Sequence, residues 1–422
     1  MRALIRAPRR LGAAAFVRWL VASPSLMPAA LLLLATCCFL FNPIVFMGGG
    51  SDDARYLAAA REWIAHGPVV GMLHWDLRHP LVLPVAAATR LLGESAGGLL
   101  LVPLGYALAL MLLGLLWLRA RFGAGVAALW GVFFATSPLV HELATRIYPD
   151  VAEAFFVLAS LAACDAARRR APAHRAGLLV LAGVTAALAL LTRETSAWLA
   201  LLYAGGFVLG RPFTRRAWLW VAAGAVPLLA LETAWLWQAT GDPLHRLHVA
   251  LNHVEVPSNH MRGRVFKGAV FFNADLASRW LVRGPVDVNW TVNPLLYFFI
   301  DSFYGGAAIL LAALGFVSAG CGRGCPVQRA CLRRMVALAI VSFAFVTYVL
   351  MVSQRPRYYL LPLLVVMVVN AVLATRLWRR RRAAVAALVG LHLVASGVIV
   401  ALRDPPRHGL PAHDPAARVS AA

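Results

Sequence analysis

Long apolar windows recur through the whole chain and leave it one broad class of fold. Residues 25–47, 96–118, 178–191 with their flanks, 218–240 and 335–353 are almost free of charge. Each offers the run of about 20 helical residues needed to cross a bilayer core. Of the 422 residues, 61% are hydrophobic and only 14% are charged, a balance that a soluble domain does not carry. Leu, Ala, Val and Gly dominate the windows, without the short apolar–polar alternation of a transmembrane barrel. The expected fold is an all-α polytopic membrane protein.

A net charge of +22 raises the question of nucleic acid. The basic residues do not form one soluble patch, however, so no nucleic-acid partner is expected. They cluster at residues 2–18, 119–121, 168–175, 211–216, 323–334 and 376–382, at every second connection between apolar runs. Cytoplasmic loops carry such clusters, which puts the N-terminus inside. About eleven spans follow, near 25–47, 96–118, 123–141, 150–167, 176–192, 195–210, 217–239, 294–317, 335–353, 358–377 and 383–402. Residues 1–24 then form a basic cytoplasmic segment and 25–402 a transmembrane domain. Residues 403–422 read as a disordered tail outside. The N-terminal apolar run exceeds the core length of a signal peptide and reads as a retained anchor. Two long connections, 48–95 and 241–293, fall on the outer face. Within the first, residues 79–93 are apolar but short and broken by proline, as in an interfacial or re-entrant helix.

Carboxylates are costly in such a chain, which makes Ser51-Asp52-Asp53-Ala54-Arg55-Tyr56 conspicuous. Tyr56, Leu57, Ala60, Trp63 and Ile64 recur at helical spacing, so the two aspartates sit at a helix start. One acid suffices to meet the backbone N–H groups there. The second is surplus to capping, and the pair can act as a general base or hold a divalent metal ion. Six outer-loop histidines, His74, His79, His245, His248, His253 and His260, also suit a metal, although no H-E-x-x-H accompanies them. Cys321, Cys325 and Cys331 lack a fourth ligand and read as reduced thiols in a cytoplasmic loop.

The order of short motifs resembles that of the C-type membrane glycosyltransferases (GT-C), nearly end to end. Asp52-Asp53-Ala54-Arg55-Tyr56 is similar to their D-E-x-x-Y, with Asp53 where Glu is commoner, and Arg78-His79-Pro80-Leu81 to a looser H/K-P-P-L. Arg146-Ile147-Tyr148-Pro149-Asp150 resembles R-x-x-x-D, and Leu191-Thr192-Arg193-Glu194-Thr195 resembles L-T-[RK]-E-[TS]. Thr240-Gly241-Asp242-Pro243 and Arg357-Tyr358-Tyr359-Leu360-Leu361-Pro362 are similar to T-G-[ND]-P and R-Y-x-x-x-P. Family 39, with the protein mannosyltransferases and the lipid A aminoarabinose transferase, is the nearest group by these motifs. The resemblance implies a bundle of about eleven transmembrane helices with interfacial helices in its outer loops. It also implies a polyprenyl-phosphate sugar donor and a lipid, glycan or protein acceptor. Asp52 would be the catalytic acidic residue with Asp53 beside it. Tyr56, Arg78, His79, Asp150, Glu194 and Tyr358 would contact substrate.

Physical chemistry supports the donor separately, because a lipid phosphate needs fixed positive charge at the membrane interface and arginine supplies it. Arg357, Arg193 and Arg146 stand at the outer ends of expected spans. The competing explanation is local pairing, of Arg193 with Glu194 and of Arg146 with Asp150. No nucleotide-binding glycine motif is present. Rival functional classes are a transporter, or a flippase or polymerase of lipid-linked envelope glycans. Alanine and arginine richness suggests a bacterium, hence a cytoplasmic membrane with the site facing the periplasm or exterior. Lys267 is the single lysine and lies in the second outer loop. A membrane-impermeant amine reagent applied to intact cells is therefore expected to label Lys267; labelling only after lysis would invert the topology.

Overall fold

The structure is a computed structural model, and it describes residues 23–44, 51–171, 174–251, 298–299, 304–318, 326–349 and 356–402. The expected N-terminal segment up to residue 22, the second outer loop from 252, His253, His260, Cys321, Cys325 and the tail from 403 lie outside those residues. Among the described residues every regular element is helical. In chain order they are α1 (Leu26–Leu40), α2 (Asp52–His66), α3 (His79–Leu92), α4 (Ala96–Phe122), α5 (Ala124–Thr136), α6 (Pro138–Ala144), α7 (Pro149–Ala167) and α8 (Ala176–Thr192). There follow α9 (Ala197–Leu209), α10 (Arg215–Thr240), α11 (His245–Leu251), α12 (Ala307–Ser318), α13 (Pro326–Ala344), α14 (Leu360–Leu377) and α15 (Arg382–Leu402).

Among the described residues five helical stretches are long and apolar enough to cross a membrane: Ala96–Phe122, Arg215–Thr240, Gln328–Thr347, Pro356–Leu377 and Arg382–Leu402. The number becomes six if the pair α5 and α6 is one span. The protein is a largely membrane-embedded helical bundle. Large apolar side chains such as Leu209, Phe316 and Leu391 stand exposed on its perimeter, as they would against lipid. The shorter apolar helices α1, α8 and α12 occupy other expected spans.

Two expectations are corrected. The continuous span near 123–141 is broken, with α5 and α6 bent by 68°. Pro138 at the first turn of α6 has no N–H to continue α5, and the Ser137 hydroxyl accepts from Val140 N to start a new helix. Cys331 is no loop residue either, because α13 begins at Pro326 and carries it as a half-buried thiol. The apolar stretch at 79–93, expected as an interfacial or re-entrant helix, forms the helix α3, packed on α2 and α4.

Three apolar clusters build the interior. One joins α1, α4, α5, α6, α12 and α14, and includes Trp130, Phe134, Tyr148 and Tyr359. A second binds α2 and α3 to α4 through Tyr56, Leu57, Leu81, Val85 and Leu99, and reaches Ile147. The third joins α7, α8, α9 and α10 through Val157, Leu179, Trp198 and Trp218. Ile147 and Tyr148 are neighbours in sequence but belong to different clusters, so the turn before α7 is a junction between them.

Helix α8 lies between α7 and α10. Its contact with α10 depends on glycine, as is usual where membrane helices approach closely. A Cβ at Gly183 would stand 1.9 Å from Val221 O, and one at Gly224 2.1 Å from Val180 O. Backbone cannot swing aside as a side chain can. Gly183→Ala is expected to destabilise the folded protein by about 1–3 kcal/mol, read as a lowered melting temperature in detergent. An unchanged melt would show that the two helices separate freely.

Candidate active site

The site grows from the start of α2. Ser51 is the helix N-cap, its hydroxyl accepting from Ala54 N at 3.3 Å. Capping therefore does not require either aspartate, and Gly67, at φ +75, ends the helix. Tyr56, Leu57 and Ala60 turn inward on the α2 face that packs against α3.

The two adjacent aspartates part company. Asp53 is fully buried and takes Arg146 Nη2 at 2.7 Å, Arg146 Nε at 3.1 Å and Ile147 N at 2.8 Å. Burial pushes its carboxyl above the usual carboxylate range, against the opposing pull of Arg146 and the Ile147 N–H. Asp52 remains partly exposed, with Arg357 Nη1 donating to Oδ2 at 2.5 Å and Trp75 Nε1 to Oδ1 at 3.3 Å. Helix α2 thus presents one aspartate to the interior and one to an accessible edge.

Arg146, Arg193 and Arg357 come together at this end of the bundle, each already paired with acid. Arg146 also meets Glu142 at 3.1 Å, across the end of α6. Arg193 binds Asp150 and lies 3.8 Å from Glu153. The local pairs considered from sequence, Arg146 with Asp150 and Arg193 with Glu194, are replaced by contacts between different segments. Between the guanidinium groups stand tyrosine rings. Tyr148 lies 4.1 Å from the Arg146 guanidinium carbon and 4.5 Å from that of Arg357. Tyr358 lies 4.2 Å from Arg193 and 5.2 Å from Arg357. The result is a ladder in which each ring face meets two cations.

A second network borders the first. Arg78 is bonded to the buried Tyr56 hydroxyl and lies 3.5 Å from Glu194. Burial works against the Arg78 charge, but Tyr56, Glu194 and Asp52 outweigh it and hold its pKa above the ordinary value. Arg246 of α11 joins Glu194 at 3.0 Å to Glu232 at 2.7 Å, and donates to the carbonyls of Leu77 and Leu191. His79 Nδ1 lies 3.0 Å from Glu232, and its ring packs against Trp63 and Trp235. His245 donates to Gly71 O at 3.2 Å, whereas His248 pairs with Asp242 at 2.7 Å. The two histidines therefore serve different partners.

All the expected site residues that lie near one another in space thus fall into two adjoining networks: Asp52, Asp53, Arg146, Asp150, Arg193, Arg357 and Tyr358 in one, Tyr56, Arg78, His79 and Glu194 in the other. Sequence reasoning missed Trp75, Glu153, Glu232, Arg246 and the bridging role of Tyr148. Glu153 and Glu232 carried a usable signal, since each is a lone carboxylate inside an apolar run. Among the described residues no three His, Cys, Asp or Glu side chains gather as a metal-binding group. Asp52 and Asp53 each pair with an arginine.

The buried pair makes a stability test. Arg146→Ala leaves Asp53 without its cation and is expected to cost about 3–5 kcal/mol. Arg61→Ala, which breaks the exposed pair with Glu94, is expected to cost about 1 kcal/mol or less. Equal melting temperatures for the two variants would refute the structural role of the Asp53–Arg146 pair.

No protein-family model matches the chain, and no curated protein matches it. Solved structures do. ArnT from Cupriavidus metallidurans bound to undecaprenyl phosphate is similar at 16% identity, over 90% of this chain and 64% of that one, with a TM-score of 0.56. The Archaeoglobus fulgidus oligosaccharyltransferase in complex with Zn and sulfate is similar at 16% identity, over 92% of this chain and 54% of that one, with a TM-score of 0.56. AglB from the same organism, in complex with an inhibitory peptide and a dolichol-phosphate, gives 12%, 88%, 55% and 0.53. The chain spans 54% to 64% of the length of these proteins. At this identity the likeness is one of fold alone, and the chain shares the fold of these proteins.

Proposed function

We propose that the protein is a membrane glycosyltransferase that moves a sugar from a polyprenyl-phosphate donor to an acceptor at the outer face of the cytoplasmic membrane. The observation that carries this reading is the meeting of Asp52 with Arg357, beside Arg146 and Arg193, at one end of the bundle. An accessible carboxylate next to clustered guanidinium groups is the equipment for general base catalysis on an acceptor and for stabilising a phosphate leaving group. The fold likeness to proteins solved with undecaprenyl phosphate and dolichol-phosphate supports the same donor class.

The basic clusters support the orientation. Helix α7 carries Asp150 at the site end, and Asp165, about 22 Å along the helix, pairs with Arg121 at the other. Arg119, Arg168 and Arg169 also belong to that far end, as cytoplasmic residues should.

In the reaction Asp52 accepts the proton of the acceptor hydroxyl as its oxygen bonds to the anomeric carbon. The bond from that carbon to the phosphate oxygen breaks, and its electron pair leaves with the lipid phosphate. Charge on the phosphate rises as the bond breaks, so Arg357 holds the transition state more strongly than the donor. Asp53 and Arg146 act as positioning residues, since they fasten the start of α2 to the turn before α7. Tyr56, Arg78, His79, Asp150, Glu194 and Tyr358 line or brace the donor and acceptor sites.

The test is transfer of labelled sugar from native lipid extract to cell-envelope acceptors by purified protein in liposomes. Asp52→Asn is expected to lose activity by about 100-fold or more while still binding lipid donor. Full activity in that variant would remove Asp52 from the chemistry. Absence of transfer by the wild type, with movement of lipid-linked glycan across the bilayer instead, would favour the flippase.

A further inference from the structure

We infer that the Asp52–Arg357 ion pair is a latch that the donor phosphate opens: the lipid phosphate takes Arg357, and only then can Asp52 act as a base. The inference rests on the transferase reading above and deepens it by fixing an order of binding, donor before acceptor.

Arg357 differs from its neighbouring arginines. Arg146 holds two carboxylates, Asp53 and Glu142, and Arg193 lies against Asp150 and Glu153. Their side chains are 7% and 6% exposed. Among the described residues Arg357 makes one ion pair, with Asp52, while Asp150 also acts on its charge; that pair is the most open of the three, at 13% and 22%. Its Nε has no hydrogen-bond partner among the described residues, and its Nη2 reaches only the Tyr358 hydroxyl at 3.5 Å. Arg357 can therefore give up its acid and still have donors aligned for a two-oxygen ligand.

The surroundings suit an exchange of partner without movement of the cation. Tyr148 and Tyr358 meet the guanidinium through their ring faces, a contact indifferent to which anion sits at its edge. Asp52 keeps the Trp75 indole N–H when Arg357 is withdrawn. In the latched state its lone pairs face a cation, which makes it a poor base. A hydroxyl or water that arrives first meets a neutralised carboxylate, so the site is protected from activating water before the donor is seated.

The experiment measures binding of undecaprenyl phosphate, without sugar, to four proteins in nanodiscs: wild type, Asp52→Asn, Arg357→Gln and the double variant. If Asp52 competes with phosphate for Arg357, Asp52→Asn binds about tenfold more tightly than wild type. That gain disappears in the Arg357→Gln background. No gain in the single variant overturns the latch, and so does an equal gain in both backgrounds, which is the mark of a diffuse charge effect. If the wild type binds no polyprenyl phosphate, both the latch and the transferase reading fail. Binding without the Asp52→Asn gain sinks the latch alone. Folding is controlled by thermal melting, with Asp52→Ser as a second variant; Ser51 keeps the N-cap of α2 in either.

Discussion

A charge buried in a bundle of this kind must meet its opposite, and that requirement organises the whole site end of the protein. Asp53 reaches 93 residues along the chain to Arg146, Asp150 reaches 43 to Arg193, and Asp52 reaches 305 to Arg357. Each pair draws its members from different helix ends. Loop closure over such separations is entropically costly, and the apolar clusters beneath must first bring the helix ends together. The ion pairs then select one arrangement among those the apolar packing would tolerate, because every alternative strands a charge.

The ladder of arginine and tyrosine adds a second constraint. Guanidinium groups gathered at one place repel, and here Tyr148 and Tyr358 separate them while offering each a favourable face. The acids neutralise the cations from the edge and the rings support them from the face. Such a cluster keeps its positive groups fixed before any ligand arrives, which is what stabilisation of a developing anion requires.

Much of this was legible in the sequence because the bilayer makes unusual demands. Uncharged windows announce helices, and an acidic pair after the first apolar run stands out against that background. The roles of the two aspartates were less legible, since sequence places both in one helical turn and says nothing of which faces inward. Only the packing of α2 against α3 and the turn at Ile147 separates them. Arg246 was hidden for a similar reason: it stands between His245 and His248, whose chemistry drew the eye, and its partners Glu194 and Glu232 come from other helices. The broken α5–α6 segment was hidden in plain composition, because Ser137-Pro138 inside an apolar run can either kink a helix or restart one.

Helix α7 is tied at both ends, by Arg193 at Asp150 and by Arg121, with the Trp117 indole, at Asp165. A strut pinned in this way cannot slide along its own axis past its neighbours without breaking an ion pair. Neighbouring helices with apolar faces have no such restriction and can tilt to absorb mismatch. The distance between the two pinned ends of α7 is therefore set by the protein, and the lipid has to deform around it.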